Sequence, residues 1–169
     1  MSAVSTPPKK VLGIDPGSHH LGLGFVEREG MGFRLIAADT LHAPHGDLYV
    51  RLRALYAGLK AFLREHRPDE AALEEIFFAR NPKSAITLGM ARGVAIAACL
   101  DLDIPIHEYA PTRIKAAVTG YGRADKAQVK KMVEHIVGVR LALGFDATDA
   151  LAVAICHAQT ARWKDGLSC

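Results

Sequence analysis

The chain opens with three short apolar runs and then changes period. Lys10 to Asp15 reads as a buried strand ended by Pro16-Gly17, because proline and glycine break a ladder and start a turn. Leu21 to Glu27 and Phe33 to Leu41 read as two further strands, divided by Gly30 to Gly32. Next, Leu48, Leu52, Leu55, Leu59, Phe62 and Leu63 recur at helical spacing, with Asp47 placed to cap the first turn. Ala71 to Ile76 predicts a fourth strand, Lys83 to Leu100 a long helix, and Ile104 to Tyr109 a fifth strand. Pro111 suits the first turn of another helix. Gly120 and Gly122 punctuate before a helix starting near Asp125, and Asp146 to Ala161 predicts the last helix. A strand meander followed by alternating helices and strands implies an α/β fold: a mixed five-stranded sheet covered by helices on both faces.

At 169 residues, half of them hydrophobic, the chain has enough interior for one domain. Residues 1–9 contain no apolar core of a signal peptide and read as a loose tail, with the domain over 10–161 and a second tail over 162–169. The most apolar stretch, Ala91 to Leu100, is too short to span a bilayer, so no membrane role is expected. Cys99, Cys156 and Cys169 are odd in number and lack metal-binding spacing. The first two read as buried free thiols, which points to a reducing cytoplasm.

Charge adds a direction. The net charge of +3 is modest, but Glu108 to Arg140 holds seven basic and three acidic side chains. A basic segment of this kind suits a polyanion, although many charge runs are simply solvated helix faces.

Acidic residues supply the candidate chemistry. Asp15 closes the first strand, Glu74 lies in the fourth, and Asp146 and Asp149 open the last helix three residues apart, on one face. Each has an ordinary explanation: Asp15 as a turn residue, Asp146 and Asp149 as favourable charges at a helix N-terminus. Glu74 and Glu75 alternate across a strand, so only one faces a common site; Glu75 reads as the solvated neighbour. Together, four carboxylates without imidazole or thiolate suit Mg²⁺ or Mn²⁺ better than zinc. Two such ions around one phosphate are the usual apparatus of phosphodiester hydrolysis. No Ser-His-Asp or Cys-His arrangement competes. His19 and His20 read as exposed loop residues. His157 stands eight residues beyond Asp149, roughly 12 Å along a helix, too far to be a ligand there.

Five ordered stretches carry a family resemblance: Gly13-Ile-Asp15-Pro-Gly17-Ser, Leu73-Glu74-Glu-Ile-Phe77, Ala91-Arg-Gly93-Val-Ala-Ile, Gly120-Tyr-Gly122-Arg-Ala124-Asp-Lys126 and Asp146-Ala-Thr-Asp149-Ala-Leu-Ala. In this order, from about Lys10 to His157, the chain resembles the RuvC family of bacterial Holliday junction resolvases. The resemblance implies a ribonuclease H-like fold and a homodimer that cuts opposed strands of a four-way DNA junction with Mg²⁺, alongside the branch-migration proteins RuvA and RuvB. It assigns Asp15, Glu74, Asp146 and Asp149 as catalytic acids and Phe77 as an aromatic set against unstacked bases. Lys115 and Lys126 become phosphate contacts. Apart from the resemblance, Arg123 and Lys130 of the basic segment, with Asn81 and Lys83, are candidates for further DNA contacts. The tail before Lys9 is longer than the family pattern and the chain ends early after Trp163.

A dimer can also be argued from the residues, the alternative being a helix buried between the sheet and other helices of its own chain. From Ala85 to Leu100 nearly every position is apolar or glycine except Thr87 and Arg92, and a helix apolar all round must be covered all round. Gly89 and Gly93 would let a second backbone approach, and a twofold dimer matches a twofold substrate. Three rivals remain open on sequence grounds: a sugar-kinase or actin-type ATP-using domain, a junction-binding protein without catalysis, and a ribonuclease H acting on RNA–DNA hybrids.

Overall fold

The computed structural model describes residues 10–76, 81–142 and 144–166. Its strands are β1 (Lys10–Pro16), β2 (His20–Glu29), β3 (Gly32–His42), β4 (Glu70–Glu74) and β5 (Ile106–Tyr109). The helices are α1 (Leu48–His66), α2 (Pro82–Leu100), α3 (Pro111–Thr119), α4 (Lys126–Val137) and α5 (Phe145–Gly166). The sheet runs β3-β2-β1-β4-β5, antiparallel through the meander and parallel from β1 to β4 and β4 to β5. The mixed sheet expected from the sequence is therefore present.

The two faces divide by strand alternation. Leu12, Ile14, Ala71 and Leu73 pack on Leu55, Leu59 and Leu63 of α1 and Ala95, Ala98 and Cys99 of α2. Val11, Ala72 and Tyr109 pack on the other side against Ile114 of α3, Val129 and Val133 of α4, and Leu151 and Ile155 of α5. The local signals act as anticipated. Asp47 accepts from the Val50 N–H at 3.0 Å, and Asp125 with Gln128 forms a capping box at the start of α4. Gly120 ends α3 in the left-handed region, at φ 76°.

Boundaries differ from the pattern-based expectation in several places. β4 stops at Glu74 rather than Ile76, and β5 starts at Ile106 rather than Ile104, which is instead buried in the loop before it. His20 is the first residue of β2 rather than a loop residue, although both His19 and His20 are exposed. α5 runs past Ala161 to Gly166, so the helix enters the stretch expected as a tail. α2 is 19 residues long and, by length and composition alone, apolar enough to cross a membrane, which the shorter stretch Ala91 to Leu100 did not suggest. Within the fold one side of α2 lies in the core beside α1.

One packing feature positions everything that follows. A Cβ placed on Gly13 would lie 1.8 Å from the Ala150 carbonyl oxygen, one on Gly22 2.2 Å from that of Asp146, and one on Gly24 2.3 Å from the Leu151 nitrogen. Three glycines of β1 and β2 thus form a bare strip onto which α5 presses backbone to sheet. Gly22 is the register partner of Asp15, so the strip delivers the first turn of α5 to the end of β1.

Candidate active site

Asp15 and Glu74 end neighbouring parallel strands, one step beyond the paired residues Ile14 and Leu73. Alternation turns both toward the face that carries α5. There, Asp15, Glu74 and Asp149 line a cavity of about 210 Å³ with Lys115 and Lys126. Pro111 and Ile114 of α3, Val129 of α4, and Ala152 and Val153 of α5 complete its wall. A second cleft of about 250 Å³ adjoins it, again bordered by Asp15, Glu74 and Pro111, with Glu75, Ile76, Leu88 and Arg92. Asp146 is half-buried in the first turn of α5, outside the lining of either cavity but near enough to act on Asp15.

The electrostatics follow from this crowding. Burial pushes the Asp15 carboxyl up to about 7, reinforced by the negative charges of Asp149, Asp146 and Glu74 and opposed by Lys126. Glu74 is also raised, first by partial desolvation of its carboxyl and then by Asp149; Lys115, Lys126 and Arg92 pull the other way. The cluster is short of positive charge. Lys126 partly supplies it: its ammonium donates to Asp149 Oδ2 at 3.0 Å, and this bond raises the lysine above its usual range. The donor set, all carboxylate oxygens in an under-neutralised pocket, fits hard divalent cations. Asp15, Glu74, Asp149 and Asp146 are the residues that would hold them.

The other candidates divide. Lys115 and Lys126 come to the cavity, while Arg123 is exposed in the turn before α4. Lys130 is half-buried over the Phe145 ring, at 5.8 Å from its centroid. Asn81 caps α2, its side-chain oxygen accepting from the Lys83 N–H at 2.9 Å, which commits that oxygen to structure; Lys83 is exposed. Glu74 and Glu75 are both exposed, and Glu75, past the strand end, borders only the second cleft, whereas Glu74 lines both. Phe77 lies outside the described residues.

Two residues were not picked out by pattern. Arg92 looked like an interruption in an apolar helix. It is buried and donates to the Glu74 backbone carbonyl and the Glu108 carboxylate, tying α2 to the end of β4. Phe145 is exposed beside Asp146, with Lys126 and Lys130 both near its ring. Its only sequence signal was an aromatic immediately before the helix-opening acids.

The family described as crossover junction endodeoxyribonuclease RuvC matches residues 11–157, which takes in every element from β1 to most of α5. The chain belongs to the RuvC family. A RuvC of Acinetobacter baylyi is 46% identical over 148 residues, 88% of this chain and 82% of that protein. A RuvC of Alkalilimnicola ehrlichii is 47% identical over 148 residues, 88% and 90% of the two chains. Among solved structures, Thermus thermophilus RuvC in complex with a Holliday junction substrate superposes with a TM-score of 0.87 at 35% identity, over 93% of this chain and 97% of that one. The yeast mitochondrial Holliday junction resolvase Ydc2 shares the fold, with a TM-score of 0.67 at 13% identity, over 98% of this chain and 85% of that one. The ribonuclease H-like α/β architecture expected from the sequence is thereby established, and the RuvC family is one of nucleases, not of ATP-using domains.

Proposed function

We propose that this RuvC-family chain resolves four-way DNA junctions by metal-dependent hydrolysis of two opposed phosphodiester bonds, in recombination and DNA repair. The observation that carries the reading is the convergence of Asp15, Glu74 and Asp149, with Asp146 beside them, around a cavity flanked by Lys115 and Lys126. The junction complex of the Thermus relative supports the substrate.

Asp15, Glu74, Asp146 and Asp149 would hold two Mg²⁺ ions, with Mn²⁺ as a substitute. When bound, such ions lower the pKa of an attacking water and stabilise the oxygen leaving phosphorus. The residues of the chain do the rest. Glu74 and Asp15 are fixed by adjacent strand ends, and Arg92 holds the Glu74 backbone, so the carboxylates are placed before substrate arrives. Lys126 and Lys115 give the scissile phosphate a positive wall. In the hydrolysis, water oxygen bonds to phosphorus, the opposite P–O bond breaks, and the departing oxygen gains a proton. Phe77, three residues beyond Glu74, is assigned to stacking on a displaced base, with Arg123, Lys130, Asn81 and Lys83 toward the flanking backbone.

A homodimer fits the outer face of α2. Ile86 and Leu100 are exposed at 65% and 62%, and a Cβ on Gly89 or Gly93 would meet no atom within 4 Å. These positions form an apolar stripe suited to a second copy, which would set two cavities on one twofold substrate. RuvA and RuvB are the proposed branch-migration partners. A reducing cytoplasm suits the buried free thiols Cys99 and Cys156, both pushed well above the usual thiol range by burial. Incubating the protein with a labelled immobile four-way junction, with and without Mg²⁺, tests the reading. Paired cuts only with metal support it, whereas an intact junction or preferential cutting of an RNA–DNA hybrid overturns it.

A further inference from the structure

Glu70, His107 and His157 meet at the far end of the same sheet face. Glu70 opens β4 while Glu74 closes it, a separation of roughly 13 Å at strand rise. His157 lies on α5 eight residues after Asp149, roughly 12 Å at helical rise. The two measures agree that this cluster is distinct from the carboxylate cavity. Register brings the three together: His107 pairs with Ala72 on the face that carries α5, and Glu70 shares that face two residues earlier.

The arrangement has the chemistry of a cation site. One ligand atom from each residue lies within 4.8 Å of the other two. His157 Nε2 contacts Glu70 Oε2, and His107 Nε2 lies 3.1 Å from the same oxygen. Ligands around a tetrahedral zinc ion sit about 3.4 Å apart, so small side-chain rotations close the set. His107 Nε2 is shielded from solvent and makes no hydrogen bond of good geometry, although it faces Glu70. A buried ring nitrogen that lacks a well-aligned hydrogen bond is costly, and a cation bound between it and Glu70 would satisfy it. The other ring nitrogen of His157, Nδ1, is 2.6 Å from the Tyr109 hydroxyl, the outer hydrogen bond that orients a metal-binding imidazole. The imidazole rings of His107 and His157 are stacked, with centroids 4.3 Å apart. His157 is buried, but the His107 side chain is 38% exposed, which leaves an entry path and room for water as a fourth ligand.

We infer that Glu70, His107 and His157 form a second metal site, selective for a borderline-soft divalent cation such as Zn²⁺ and separate from the carboxylate site. Two imidazoles and one carboxylate favour zinc, cobalt or nickel over Mg²⁺, in contrast to the all-oxygen set at the other end of β4. A cation there ties together β4, β5 and α5, the three elements that carry the site's ligands and, in β4 and α5, three of the proposed catalytic acids. Its role is structural: it binds the folded state and stabilises it by linkage.

The test uses the full chain, stripped with chelator and held in excess Mg²⁺ to occupy the carboxylate site. Titration with Zn²⁺ by calorimetry, and with Co²⁺ by visible absorption, should give one equivalent, the intense absorption of four-coordinate cobalt, and a rise in melting temperature. His107→Ala and Glu70→Gln should each remove the absorption and the rise, with affinity down by roughly a hundredfold or more. Asp149→Asn should retain all three signals. Absence of binding, binding unchanged in both His107→Ala and Glu70→Gln, or binding lost in Asp149→Asn would each overturn the second site. Because the readouts are binding and melting, they stand apart from the outcome of the junction assay.

Discussion

The Lys126 ammonium reaches across from the first turn of α4 to Asp149 Oδ2 on α5, at 3.0 Å. In this arrangement a lysine neutralises one of the acids that would otherwise hold a cation, and it remains exposed enough to meet a phosphate. We expect it to exchange partners when metal and DNA arrive. Lys126→Glu and Lys115→Glu should then weaken junction binding and reduce the slope of log K against log salt by about one unit each. Binding measured by fluorescence anisotropy across a salt series checks this. An unchanged slope would place both lysines away from the DNA.

Asp15 makes a prediction about pH. Its folded-state carboxyl lies near 7, above the unfolded value of about 3.9, so the folded protein holds the proton more tightly. The associated stability is fully present below about pH 4 and lost as pH rises through about 7. Asn at this position removes the charge and keeps the shape. Asp15→Asn should therefore melt several degrees higher than the parent at pH 8 without metal, and should lose the stabilisation that Mg²⁺ confers on the parent. Cleavage should fall to background while junction binding persists. Melting curves at pH 5 and 8, with and without Mg²⁺, decide it; a variant less stable at pH 8 would contradict the assignment.

The glycine strip predicts a steric effect. Gly22→Ala places a methyl 2.2 Å from the Asp146 carbonyl, against backbone that has no rotamer with which to move aside. Destabilisation of about 1–3 kcal/mol or more is expected, read from the denaturant midpoint, together with reduced cleavage as the first turn of α5 shifts from Asp15. An unchanged midpoint would show that α5 does not press on β2 as described.

These cases also show where sequence reasoning reached and where it stopped. Asp15 and Glu74 were legible because each sits at the boundary of an apolar strand, and Asp146 with Asp149 because three residues is one helical face. Gly13, Gly22 and Gly24 gave no such signal: glycine weakens a strand taken alone, and its value here depends on a helix more than a hundred residues later. Arg92 was visible only as a charge in the wrong place, since its partners are a backbone carbonyl and Glu108 on a separate strand. Glu70, His107 and His157 were equally opaque, because spacing within one element says nothing about side chains gathered from three.

Phe77, three residues beyond Glu74 in the sequence and followed by Phe78, carries its own test. If Phe77 stacks on a displaced base, a contact worth about 1–3 kcal/mol, Phe77→Ala keeps its melting temperature but loses cleavage of an intact junction. It should regain some activity on a junction whose central bases are already unpaired. A large fall in melting temperature would transfer the stacking role to Phe78.

The central claim is that carboxylates at adjoining strand and helix ends cut junction DNA with bound metal. Glu74→Gln and Glu75→Gln, assayed side by side on one labelled four-way junction in Mg²⁺, test it most directly. The two changes are chemically identical and one residue apart, but only Glu74 lines the cavity with Asp15, Lys126 and Asp149. Loss of symmetric cleavage in Glu74→Gln, with near-parental cleavage in Glu75→Gln and junction binding retained in both, is the predicted result. Near-parental cleavage by Glu74→Gln would contradict the account.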